Sequence, residues 1–156
     1  MNGPIQLDAL DERILAALQR DGSLSSAALA DQVSASPASC WRRVKALEAA
    51  GILGPAVRLV SPEAVGRDLD VFCQIRMRSQ DAAARQDFQR AMSVEPTVLE
   101  VYSISGDWDY LLHLVVRGMK DYEDILMHRI LAHRSVATAS SVFALRRVKH
   151  TTAVPC

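Results

Sequence analysis

The sequence predicts an α+β protein in two parts, and two changes of pattern along the chain predict it. Over residues 7–50 apolar side chains recur every three or four positions, whereas from residue 70 short runs that alternate every second position are interleaved with helical ones. Between them, residues 61–69 are more polar and hold Pro62 and Gly66, which marks a linker. The division is therefore 1–60, a helical domain; 61–69, a linker; and 70–156, an α+β domain.

The helical part opens with LDALDERILAALQR, which sets Leu7, Leu10, Ile14, Leu15 and Leu18 on one stripe. Asp8 suits the N-cap, and Asp11 and Glu12 lie in the first turn, where the helix dipole favours acids. A second, short helix is expected over 25–33. The third runs from Pro37 to about Ala50, with Ser36 as its cap and Pro37 where a missing N–H costs nothing. Gly51 closes it. The run ILGPAVRLV then reads as a turn or wing followed by a strand.

In the second part, DVFCQIRMR (70–78) is a strand with Val71, Cys73, Ile75 and Met77 on one face. Residues 81–92 form a helix, VLEVYSIS (98–105) a strand, GDWD its turn, and YLLHLVV the hairpin partner. A helix over 119–132 and a strand over 138–148 complete the order β-α-β-β-α-β, the ferredoxin-like split βαβ arrangement. Both helices then lie on one face of an antiparallel sheet. The other face is left open, and because the strands are apolar nearly throughout, it calls for a second copy.

Composition narrows the function. The 156 residues have zero net charge, so a highly charged partner has to be met by a local patch. No apolar run spans a bilayer, and the N-terminus has neither a basic start nor an apolar core of a secretory signal. Cys40, Cys73 and Cys156 are few, odd in number and far apart, which suits thiols in a reducing cytoplasm rather than disulfides or a zinc site. His113, His128, His133 and His150 lack metalloprotease spacing, and neither a phosphate loop nor a nucleophile elbow is present. The sequence therefore predicts no metal, no cofactor and no catalytic residues.

Charge is concentrated in one place. Helices two and three are separated only by Ser34-Ala35-Ser36, the spacing of a helix-turn-helix. In PASCWRRVKALEAA, Cys40, Val44 and Leu47 face inward, while Ala38, Trp41, Arg42 and Lys45 face outward with Arg43 at the edge. From Trp41 to Arg58 four basic residues meet one acid, a local charge of +3. Arg bonds guanine edges bidentately and Lys neutralises phosphate, so this helix suits a major groove. Ser36, Ser39, Trp41, Arg42, Arg43 and Lys45 are the candidate DNA-binding residues.

Residues 7–53, with LDxxDxxIL and SPxxCxRRVKxLExxGI, resemble the N-terminal domain of the leucine-responsive/asparagine-responsive (Lrp/AsnC) family of prokaryotic transcription regulators. VLEVYSISGDWDYLLHLVV and SSVFALRRVKHTTAVP resemble that family's effector-binding and assembly domain. Two positions depart from the pattern: Ala46 replaces a frequent basic residue, and Pro55 an aromatic in the wing. The resemblance implies a DNA-binding regulator, dimeric and assembling further to a tetramer or octamer, that takes an amino-acid effector between dimers near the GDxD hairpin. It also admits an enzyme of the same architecture that decarboxylates sirohaem, and an amino-acid-binding assembly module without DNA binding.

On that basis the effector residues are Ile104, Ser105, Gly106, Asp107 and Asp109 of the hairpin, Met119 of the second helix, and Ser140, Ser141 and Val142 of the last strand. A zwitterionic ligand needs backbone N–H donors for its carboxylate and an acceptor for its ammonium. Asp109 is the expected acceptor, and Trp108 is an apolar wall or packs at the oligomer contact. The alternative is that Asp107 only makes the turn and Asp109 caps it through a side-chain-to-backbone bond. Ile104, Met119 and Val142 favour an aliphatic or thioether side chain.

Overall fold

The computed structural model describes residues 6–156; the reading of the first five residues lies outside that range. The chain forms two compact units. One comprises residues up to Leu59 together with Lys149–Cys156, and the other Val60–Val148. The last eight residues, grouped by the sequence with the α+β domain, thus belong to the helical unit. There the Gln19 side-chain amide donates to the Val154 carbonyl at 3.0 Å and accepts its N–H at 2.6 Å.

The helical unit holds α1 (Ala9–Leu18), α2 (Ser26–Val33) and α3 (Pro37–Ala49). Asp8, Ser25 and Ser36 cap them through side-chain oxygens, each satisfying a backbone N–H that the first helical turn leaves unpaired. Ser34 adopts a left-handed φ of 55° at the end of α2, which turns the chain sharply into α3. Ile14, Leu15, Leu29, Val33, Cys40 and Leu47 make the core, with Leu7, Leu10, Leu18 and Val44 packed around it. Beyond Gly51 the expected strand is absent. Residues 55–60 join no ladder among the described residues, and Val57, Leu59 and Val60 are exposed. Pro55 has no N–H to give, and no neighbouring strand offers a ladder to the residues after it.

The α+β unit contains β1 (Leu69–Met77), α4 (Ala82–Ser93), β2 (Val98–Ser103), β3 (Tyr110–Val116), α5 (Met119–Ile125, continuing as one π-helical turn over Leu126–Ile130) and β4 (Val136–Phe143). The sheet order is β2-β3-β1-β4, antiparallel throughout. Val71, Cys73, Ile75 and Met77 are buried as their alternation requires, against Phe88, Met92, Tyr122, Ile125 and Ile130. β4 runs 136–143 and not 138–148. Its ladder with β1 ends at the Val71–Phe143 pair and one further bond from Ala144 N to Asp70 O at 3.0 Å; β1 itself begins at Leu69, so residues 146–148 have none of it beside them. β2 ends at Ser103; the Ile104 N–H still bonds Asp109 O at 3.0 Å across the hairpin before the chain turns.

The open sheet face is mixed, not apolar throughout. Register and alternation place Asp70, Phe72, Gln74 and Arg76 there beside Glu100, Tyr102, Leu111, His113, Ser140 and Val142. His113 stacks on Phe72 at 4.7 Å, and its two ring nitrogens lie 2.7 Å from Asp70 and 3.4 Å from Glu100. Arg147 reaches Asp70 at 2.9 Å. Burial alone would raise the Asp70 carboxyl, but His113 and Arg147 together hold it below the usual carboxylate range.

Candidate functional site

On α3 the cap is built as the sequence predicts: Ser36 Oγ accepts the Ser39 N–H at 3.2 Å. Cys40 and Leu47 are buried, which turns Trp41, 58% exposed, and Arg42 toward solvent. Trp41 also walls a cleft of about 270 Å³ shared with Leu24, Leu29, Val44 and Leu53. The three cations differ in what they meet. Lys45 pairs with Glu48 one turn on at 2.7 Å, an exposed pair that yields readily to a stronger partner. Arg43 turns away from the exposed face, and its Nη1 donates to the carboxylates of Asp8 and Asp11 on α1. Among the described residues Arg42 alone on this helix has no carboxylate partner.

The 104–109 loop is attached to the end of β1. Gly106 takes a φ of 109°, a conformation side chains disfavour. Arg76 of β1 donates through Nε to the Asp107 carbonyl at 3.0 Å, and its guanidinium lies 5.0 Å from the Trp108 ring centroid. The Asp109 N–H bonds to Ile75 O at 2.9 Å. Its carboxylate accepts the Met77 N–H at 2.7 Å through one oxygen and the Gln80 amide at 2.7 Å through the other. The Met77 N–H first, and then Gln80, holds this carboxyl below its ordinary range.

The loop's second carboxylate is thus a clamp, and the ring is a seat for Arg76. Both Asp109 oxygens, expected to receive a ligand ammonium, already accept bonds from this chain. Asp107, Ser105 and Gly106 are the exposed groups, and Ile104 is half-buried.

The remaining effector candidates are not gathered around this loop. Met119, 58% exposed, follows the far end of β3, which at seven residues is about 20 Å long. Ser141 faces the helices and bonds the Tyr122 hydroxyl, while Ser140 and Val142 point to the open face opposite Gln74 and Phe72. A single chain therefore presents two separate groups of candidates. The sequence reading missed Arg76 and Gln80, because only the register of β3 on β1 brings them to the loop.

A model of the Lrp/AsnC ligand-binding domain matches residues 70–154, and one of the winged helix-turn-helix DNA-binding domain matches 7–53. The chain belongs to the Lrp/AsnC family. Its relatives in that family include the glutamate uptake regulatory protein of Zymomonas mobilis, 33% identical over 96% of this chain and 91% of that one. The DNA-binding transcriptional activator DecR of Escherichia coli K12 is 34% identical over 96% and 98%. Among solved structures, a Neisseria meningitidis transcriptional regulator in complex with L-Met superposes with a TM-score of 0.92 at 37% identity, over 96% of this chain and 97% of that one. An AsnC family regulator from Agrobacterium tumefaciens gives 0.91 at 36%, over the same shares. The chain joins a helix-turn-helix domain to a ligand-binding domain. No described helix is long and apolar enough to cross a membrane.

Proposed function

We propose that this Lrp/AsnC chain is a cytoplasmic, sequence-specific transcription regulator that binds duplex DNA through α3 and responds to a small amino acid at the 104–109 loop. The observation that carries the first half is the exposed edge of α3. Trp41 and Arg42 stand in solvent on a capped helix whose opposite side is core, with Lys45 beside them in a weak surface pair. A sirohaem decarboxylase has no use for such an edge, and the relatives named above are regulators. Ser36 and Ser39 are placed at the helix start, where a hydroxyl or a backbone N–H meets phosphate.

For the effector half, the exposed Asp107 carboxylate takes over the ammonium role first given to Asp109. Ser105 and the Gly106 backbone lie beside it as donors to the ligand carboxylate. Met119, Ser140 and Val142 enter the same site only if a second copy brings them there, which ties ligand binding to assembly; Ser141, turned to the helices and bonded to Tyr122, is left out of it. The L-Met complex of the Neisseria relative supports a thioether or aliphatic ligand. The test is a thermal-shift screen of the twenty amino acids, followed by calorimetry with the best of them, because a ligand of the native state raises apparent stability by mass action. Asp107→Asn should weaken binding roughly ten- to a hundred-fold, the worth of a bond to a charged group. Unchanged affinity in that variant rejects the assignment. Light scattering on the same samples should show a dimer or a larger assembly.

A further inference from the structure

We infer that Arg43 is a positioning residue for the recognition helix and not a DNA contact: it locks α3 to the capping box at the start of α1. The inference rests on the DNA-binding reading above and assigns a role inside it.

Three observations carry it. Asp8 and Asp11 form a reciprocal box: Asp8 Oδ1 accepts the N–H groups of Leu10 and Asp11 at 2.9 Å, and Asp11 Oδ2 accepts the Asp8 N–H at 3.2 Å. The box brings two carboxylates together, and Arg43 Nη1 sits among them, donating to Asp8 Oδ2 and to both oxygens of Asp11 at 3.1 Å. Burial then makes the Asp11 arm more than a surface pair, while the Asp8 arm stays open to solvent. The Asp11 side chain is 12% exposed and Arg43 31%, so solvent screens the contact only in part. The Asp11 N–H and then Arg43 hold the Asp8 carboxyl below its ordinary range, while Asp8 and Asp11 raise the guanidinium above its own.

The consequence lies in helix geometry. Successive residues of an α-helix point about 100° apart. Arg43 stands between Arg42, which faces solvent, and Val44, which packs on the core. A tether at Arg43 therefore sets the angle at which Arg42 and Trp41 are presented. The two carboxylates bonded to Nη1 also offset the guanidinium's charge, so Arg43 attracts a phosphate less than an unpaired arginine does. Arg43 therefore adds affinity through geometry and adds no term to the salt dependence of binding.

The experiment uses the full chain and a duplex selected by the wild-type protein from a random-sequence pool. Affinity is measured from about 50 to 200 mM salt, with a melt of each protein alongside. Arg43→Ala and Asp11→Asn should each lower affinity about tenfold at a temperature where both are folded, with the slope of log affinity against log salt unchanged from wild type. Combining the two should add little to either alone, because they act on one contact. Arg43→Lys, which keeps the charge and a donor, should retain part of the affinity. A slope flatter by about one unit in Arg43→Ala, with Asp11→Asn unaffected, identifies a phosphate contact and overturns the inference. Lowered melting temperatures with undiminished affinity of the folded proteins overturn it as well, since that is a purely structural role. If the wild type selects no duplex at all, the DNA-binding reading itself falls; wild-type binding with an unaffected Arg43→Ala rejects the positioning role alone.

Discussion

The recognition helix and the 104–109 loop look alike in the sequence. Each is a short run dense in charge with one Trp, WRRVK in the first and GDWD in the second. Among the described residues each leaves one charged group unpaired and outward, Arg42 in the helix and Asp107 in the loop, and binds its neighbours internally. They differ in where the support comes from. The helix sets its outward face from its own periodicity and caps, with one tether to α1. The loop has almost no support of its own; Arg76, Met77 and Gln80, some thirty positions earlier, hold it through Asp107, Trp108 and Asp109. A locally specified site tolerates change elsewhere in the domain, whereas a loop held by a distant strand fails with that strand.

Breaking the clamp is the largest test of this contrast. Asp109→Ala leaves the Met77 N–H without its acceptor at the end of β1. An unsatisfied buried donor costs about 1–3 kcal/mol, so the urea midpoint should fall accordingly. Asp109→Asn keeps an acceptor for Met77 and should lose much less. Equal losses in the two variants would show that the charge, and not the hydrogen bond, is what holds the loop.

Arg42→Ala sharpens the other side. It should leave the melt near wild type and cost about 1–3 kcal/mol of duplex affinity with relaxed preference at one base pair. The opposite pattern, lost stability with intact affinity, would make α3 as dependent on internal bonding as the loop.

The same contrast governs what was legible in the sequence. The helices, their caps and the inward residues Cys40, Val44 and Leu47 follow from spacing alone, because helix contacts are local. The βαββαβ order and the buried alternation of β1 were equally readable. The strand at 55–60 and the extension of β4 to 148 were not, since a strand exists only where a partner runs beside it. Arg43 looked available, and Asp109 could be read as a ligand partner or as a turn cap, because their acceptors and donors, Asp8 and Asp11 for one and Met77 and Gln80 for the other, are remote in sequence. The register that defines the open face also revealed the His113, Asp70 and Glu100 cluster, which no spacing rule suggests.

A smaller effect follows from acid. The folded pKa of Asp109 lies below its unfolded value, as do those of Asp8 and Asp70. Where the unfolded chain binds more protons, stability rises with pH. The contribution of these carboxylates is therefore full above the unfolded carboxylate value of about 3.9 and is lost as pH falls through the folded values. Urea midpoints measured downward from neutral pH should drop in that acid window, and Asp109→Asn should flatten the drop. An unchanged profile in the variant would mean that the other carboxylates dominate.

The smallest effect isolates the ring. Arg76 touches the loop twice, through the Asp107 carbonyl and over Trp108. Trp108→Leu removes the second contact and leaves the first, with an apolar side chain of lesser area in the same place. An exposed guanidinium over this half-buried indole contributes about 0.5–1 kcal/mol, and that is the loss expected in a melt. Some of any loss reflects reduced burial, so a double-mutant cycle with Arg76→Gln is needed to extract the coupling between ring and cation. A coupling within that range assigns Trp108 to the support of the loop. A negligible coupling, together with a melting temperature that now depends more steeply on protein concentration, assigns the ring instead to a contact between copies, because only the assembly is then weakened.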